Sequence, residues 1–469
     1  MQTHLSKLEE LYIHFTKTEK EDIASLLQCR VYNQSEHLVK LHHYLSEKVE
    51  KDREIDKFEA YAFVFDNEKF NDNKYRVYQS RLIKIIEKYI ILEQIESFPI
   101  AEINLLYKYY NERKMHRSLT TLLKSKNNFE SKSFEDKMMY DFYFSNAKLN
   151  YTNTYFPMDN ELIYKTFKEN LKNQTALHSF QILSSKITEL SFSAKYKTEE
   201  LFDFNENAIE KIIENKSQFD EMVQQYASIF LLIKNQNESD FFILKENIHH
   251  EVFEKFEHNL INLLAYLKNY CIRQINLGKP EYLSHLFELN EFSLKFYKKE
   301  GDLTSLNFRN IVYCALQLDK LEWTEKFIEE YNQTVAENDQ KNSYNFNYAR
   351  LYFEKKDYDN AMRQLLKVTY EDSFYASTAR ILLIKCNYEL NDEFSLIYNC
   401  QSLFQFLNRN KLFTKERVTS NLKFINYVKR IQNKRLSNSS MYYKNLKKTI
   451  QESTVIEKKW LLEKIDQLL

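Results

Sequence analysis

Two glycines and three prolines in 469 residues exclude most of the known ways to build a domain. Open α/β sheets, barrels and sandwiches turn on Gly- and Pro-based loops, and phosphate-cradling loops need glycines at fixed offsets. The first glycine here is Gly278. Neither a P-loop nor a G-x-G-x-x-G can be written anywhere in the chain. What remains is an all-helical protein. Its 43% hydrophobic and 29% charged residues are enough for a buried core and unlike a disordered polymer.

Other whole-chain features narrow the class. Lys+Arg and Asp+Glu both number 67, so net charge gives no overall pull toward nucleic acid or membrane. The 34 Tyr and 35 Phe sit in a Lys-, Asn- and Ile-rich background, as AT-rich codons favour, so the aromatic excess is not by itself a binding signature. Cys29, Cys271, Cys314, Cys386 and Cys400 are dispersed without a C-x-x-C, against a disulfide framework or structural zinc. The first ten residues lack the apolar run of a signal peptide, and the most apolar stretch, Tyr226 to Ile233, is too short to span a bilayer. These features lead to the expectation of a cytoplasmic protein with no membrane partner.

Helical periodicity divides the chain. Asn33 with Glu36 reads as a capping box ahead of Leu38, Leu41 and Leu45. Asn71 or Asp72 opens a long helix with Tyr75, Tyr78, Leu82, Ile85, Ile86 and Tyr89 on one stripe. Pro99 stands at a helix start, and Pro157 marks a break. Residues 1–112 are expected to form an N-terminal helical bundle, and 113–252 irregular helical repeats. Tyr282, Trp323, Tyr358 and Phe394 then recur at intervals of 41, 35 and 36 residues, each after a short polar turn. A period near 35 with two helices per unit predicts an α-solenoid over 253–408, a right-handed superhelix of antiparallel helix pairs. Ala349, Tyr352, Tyr358 and Ala361 alternate small and aromatic residues, so that paired helices approach closely and rings fill the grooves. Residues 409–469 are expected to close the array as a basic helical cap.

The run Ser-Tyr-Asn-Phe-Asn-Tyr-Ala-Arg-Leu-Tyr-Phe-Glu-Lys-Lys-Asp-Tyr-Asp-Asn-Ala-Met from Ser343 resembles a tetratricopeptide repeat. Its neighbours fit more loosely, with Lys326 where Ala361 supplies the small residue. Tyr32-Asn33-Gln34-Ser35-Glu36 with Leu38, Leu41 and Leu45, and later Phe70-Asn71-Asp72, resembles an uncharacterised family of bacterial helical-repeat proteins. That resemblance implies a helical-repeat fold and carries no activity or site residues.

Signals for chemistry are weak. His250, Glu254 and His258 fall at i, i+4, i+8, a spacing that seats a metal, yet the stripe Phe253, Phe256, Leu260 places them on a flank without further ligands. No serine or cysteine stands in a nucleophile signature, so no catalytic, cofactor or metal residue is assigned. Lys74, Arg81, Lys84 and Lys88 line one side of the helix after Asn71, as a DNA-reading helix would, diluted by Glu87 and Glu93. The strongest asymmetry lies between Arg409 and Lys448, with twelve basic residues against Glu416 alone, a net +11. Glu199 to Glu221 offsets part of it with eight acids against Lys211 and Lys216. Lys423, Tyr427, Arg430 and Lys434 are expected on one exposed face of the cap, with Val418, Leu422 and Ile425 turned inward. Such a strip suits single-stranded nucleic acid, an acidic protein surface or plain solvation. The expected function is a non-enzymatic scaffold that binds a protein or peptide; a nucleic-acid-linked regulator is the alternative, and an enzyme of unrecognised type the third.

Overall fold

The computed structural model describes residues 6–51, 53–96, 98–124, 129–196, 206–369, 373–409, 413–433 and 440–469. Among them every regular element is helical, with 24 α-helices. The chain divides into two units: Met1–Phe230 with Lys255–His258, and Leu231–Glu254 with Asn259–Leu469.

The first unit opens with α1 (Lys7–His14), α2 (Lys17–Gln28), α3 (Glu36–Glu50), α4 (Lys57–Val64) and α5 (Asp72–Glu96). Ser6 with Glu9 and Thr16 with Glu19 form capping boxes that satisfy the free N–H groups of α1 and α2. Tyr12, Ile23, Leu41, Tyr61, Leu82 and Ile86 meet in one core. Asn71 Oδ1 accepts the Lys74 N–H at 3.0 Å and so caps α5 as expected. Asn33 does not cap α3. Its side-chain oxygen accepts the Ser35 N–H at 2.9 Å while its amide donates to Leu27 O at 2.8 Å, so it folds the approach to the helix and Ser35 precedes the first turn. There follow α6 (Pro99–Glu112), with Pro99 first, α7 (His116–Lys124), α8 (Phe134–Tyr155), α9 (Asn160–Tyr196), α10 (Glu206–Glu214) and α11 (Glu221–Asn235). Pro157 lies in the turn between α8 and α9, which pack against each other. Glu199, Glu200 and Asp203 of the acidic stretch lie outside the described residues.

His42 in this core has a testable consequence. Its Nδ1 is 2.7 Å from the Tyr12 hydroxyl, and burial pushes the imidazole down to about 4. The ring stays neutral in the fold, whereas the unfolded chain protonates it near pH 6.5. Stability from this group is therefore complete above that value and lost as pH falls toward 4. Urea unfolding is expected to show a loss of about 2–3 kcal/mol from this source between pH 7 and 4.5. A His42→Gln variant should lack that increment; an identical pH slope in both proteins would refute it.

In the second unit, α12 (Glu238–Glu246) and the parts of α13 (Glu251–Lys255) and α14 (Glu257–Asn276) outside Lys255–His258 lead into a series of hairpins. These are α14 with α15 (Tyr282–Ser293), α16 (Ser305–Gln317) with α17 (Leu321–Tyr331), α18 (Glu337–Glu354) with α19 (Tyr358–Leu365), and α20 (Ser373–Glu389) with α21 (Glu393–Arg409). The turns share one construction. Gly278, Asp319, Lys356 and Asn391 have positive φ, and the next N–H reaches back to Gln274 O, Ala315 O, Tyr352 O and Asn387 O respectively. This is the Schellman motif, which satisfies the last carbonyls of a helix. Only one of the four uses glycine, so a glycine-poor chain accepts left-handed strain at three non-glycine residues to end its helices.

Ala349 and Ala361 are fully buried, Tyr282 is buried, and Tyr352 and Tyr358 are half-buried. Trp323 is wedged between Phe287 and Phe327, with centroids 4.8 and 5.2 Å away, and its Nε1 donates to Glu291 at 3.1 Å. Phe394 departs from the expected packing: it is 85% exposed, and Leu396 takes the core position. The capping residue explains the difference. Asp357 caps α19 and Tyr358 follows directly, but Asp392 accepts the Ser395 N–H and leaves Phe394 two residues on. One residue is 100° of helix, enough to turn a ring from core to solvent.

The chain ends in α22 (Lys415–Gln432), α23 (Ser440–Glu452) and α24 (Lys458–Asp466). Phe424, Val428, Ile450, Trp460 and Leu461 join Ala361, Leu382 and Cys400 in one cluster, so the basic segment shares its core with the last hairpins.

Candidate functional site

The first helices of three successive hairpins place residues at i, i+3/i+4 on one side: Arg309, Tyr313 and Gln317 from α16, Phe346, Arg350 and Phe353 from α18, and Ile381, Lys385 and Glu389 from α20. With α24 and the turn before it, they enclose a groove of about 510 Å³ inside the second unit.

Its cations are held by rings and carboxylates. The Arg350 guanidinium lies 4.7 Å from the centre of Tyr313 and 5.8 Å from Phe346. Lys385 Nζ lies 4.4 Å from Phe353 and 5.7 Å from Trp460, and pairs with Glu457 at 2.8 Å. Glu457 sits at φ 52° just ahead of α24, a left-handed position that aims its carboxylate at Lys385. Burial alone would raise that carboxyl; Lys385 and Arg350 outweigh it and hold it below the usual range. Burial pushes the Glu354 carboxyl above its usual range, against the pull of Lys385 and Arg350. Lys464, only 5% exposed, pairs with Glu389 at 2.8 Å, and Trp460 Nε1 donates to the same carboxylate at 2.8 Å. These contacts tie α24 to α20 and close one end of the groove. Tyr313 stays 47% exposed at the opening. The arrangement offers fixed cations beside aromatic faces, which suits a carboxylate next to an apolar side chain.

No signature for catalysis appears in the thiols. Burial pushes Cys271, Cys314 and Cys386 up to about 12 and Cys400 up to about 11, so they stay protonated at neutral pH. His250, Glu254 and His258 do not share a helix face, because the helix breaks at Phe256 between α13 and α14. Among the described residues no group of three or more His, Cys, Asp or Glu side chains is placed to hold a metal. On α5, Lys74 pairs with Glu68 at 2.6 Å and lies 4.1 Å from the Phe65 ring, so it is already engaged. Arg81, Lys84 and Lys88 remain exposed.

The basic strip comes apart. Tyr427 is 6% exposed and belongs to the core with Phe424, Ile425, Val428 and Ile431. Lys423 is half-buried, and Arg430 donates from Nε to the Tyr442 hydroxyl at 3.3 Å. Lys434 lies outside the described residues. The inward arc of α22 is wider than its aliphatic residues alone show, because α21 and α24 both pack on it. The groove cations escaped sequence reading, although Lys385 in Ile-Leu-Leu-Ile-Lys-Cys, a charge inside an apolar run, was the available signal. Among the described residues no helix is long and apolar enough to cross a membrane. Compared with family models, characterised proteins and solved structures, the chain matches none.

Proposed function

We propose that this chain is a non-enzymatic interaction scaffold, in which tetratricopeptide-like helical hairpins stack into an α-solenoid and bind an extended protein segment along their inner groove. The observation that carries the reading is the groove itself, where Arg350 and Lys385 are held against Tyr313, Phe346 and Phe353 by successive first helices. Solenoids of this class present such concave surfaces to peptides. Alternating cations and rings fit a segment with acidic and apolar side chains.

Affinity purification from the native cell with the wild type, repeated with an Arg350→Glu, Tyr313→Ala variant, tests it. Circular dichroism checks that the variant, which loses the pull of Arg350 on Glu354 and Glu457, keeps its helices, and the partner is expected to bind at least about tenfold more weakly. Equal recovery of every partner by both proteins would refute the groove. Nucleic-acid binding by the basic cap is the alternative reading, supported by the twelve cations between Arg409 and Lys448 but without Tyr427 as a stacking surface. Its signature is affinity that falls steeply with added salt.

A further inference from the structure

The groove already holds a carboxylate beside its cations. Glu457 pairs with Lys385 at 2.8 Å, and the Arg350 guanidinium attracts the same group. Neither backbone preference nor helix capping accounts for this placement. Among the described residues, the seven other non-glycine positions with positive φ each stand within three residues of the end of a helix. A left-handed residue there serves the last carbonyls of the helix. Glu457 stands five residues beyond α23 and directly ahead of α24, so it ends no helix. It occupies the capping position of α24, yet its side chain makes no capping hydrogen bond. One contact explains both the strained backbone and the forgone cap, and that contact is the one with Lys385.

We infer that the groove is self-occupied: Glu457 holds, from within the chain, the place that a carboxylate of the partner segment takes, and the partner binds by displacing it. This rests on the groove being the binding surface proposed above. The exchange needs only one side chain to move. The Glu457 side chain is 37% exposed and that of Lys385 is 9% exposed, so the carboxylate has a way out to water and the ammonium does not. Lys385 keeps its place without Glu457, since Phe353 and Trp460 flank its Nζ at 4.4 and 5.7 Å. Arg350 likewise stays on Tyr313. α24 is held by Trp460, Leu461 and Ile465 in the core and by Lys464 on Glu389. The site beneath Glu457 is therefore preformed. A segment without an acid would leave Lys385 buried and unpaired, whereas one that brings a carboxylate replaces the lost ion pair. The tethered Glu457 thus sets a threshold that favours acidic segments, because the partner competes with a group already at high effective concentration.

Fluorescence anisotropy of the full chain with a fluorescein-labelled peptide of alternating Glu and Leu tests this, beside the same peptide with Gln for every Glu. Glu457→Gln is expected to bind the Glu peptide at least about tenfold more tightly than the wild type does, because the site no longer has an internal occupant. Its affinity for the Gln peptide should not rise. Glu457→Gly, which suits the left-handed backbone, should behave in the same way, and circular dichroism shows which variants keep their helices. Equal or weaker binding of the Glu peptide by a variant that keeps its helices overturns the inference and leaves Glu457 as a structural brace. So does a failure of wild type and variants alike to bind that peptide. A gain that persists after Arg350→Glu, Tyr313→Ala is added also overturns it, since the peptide then sits elsewhere. The groove itself fails by a separate result, when Arg350→Glu, Tyr313→Ala leaves recovery of every partner from the native cell unchanged.

Discussion

Ala361→Lys is expected to destabilise the second unit by about 3 kcal/mol or more, because it drives an unpaired charge into a sealed contact. Ala361 is fully buried on α19, and α18 packs closely against α19. Its neighbours in the core include Ala349, Phe353 and Leu365, none of which can pair a lysine ammonium. For a unit of this size the melting temperature should fall by about 6–12 °C. Asp359→Gln, two residues away and exposed, should change stability by less than about 0.5 kcal/mol. An unchanged melting temperature for Ala361→Lys would remove the repeat packing on which the scaffold reading rests.

The second large effect is expected at the closed end of the groove. Lys464→Met keeps an unbranched side chain one atom shorter and removes its charge. Glu389 is 13% exposed and would then hold only the Trp460 N–H among the partners described here. Breaking one half of a buried pair costs about 3–5 kcal/mol, mostly because the other charge is left in a poor solvent. Calorimetry or denaturant unfolding should show this loss in Lys464→Met. The double variant Lys464→Met, Glu389→Gln should recover most of it, since no charge is then stranded. If the double variant is as unstable as the single one, the ion pair is not what joins α24 to α20, and apolar contacts through Trp460 and Leu461 carry the joint.

Much of the helical architecture was legible along the chain, and little of the site was. Asn71, Pro99 and Pro157 mark real boundaries, and each repeated aromatic stands at the start of a second helix. Those are local matters, since caps and turn hydrogen bonds connect residues only a few positions apart. Asn33 failed as a cap for a local reason too, because its amide found a closer use in folding the turn back on Leu27.

By itself, then, the sequence determined that the chain is helical and where its hairpins turn, because scarce glycine and proline leave the backbone few alternatives to i→i−4 bonding. Only the tertiary structure decided which face of each helix is inside. Tyr427 went in and Phe394 went out through rotations that a one-residue change of cap or a second packing helix produces. The groove cations were settled in the same way: Lys385 meets Glu457 across 72 residues, and Trp460 meets Glu389 across 71. Burial and charge pairing belong to pairs of distant segments, and no periodicity within one segment records them.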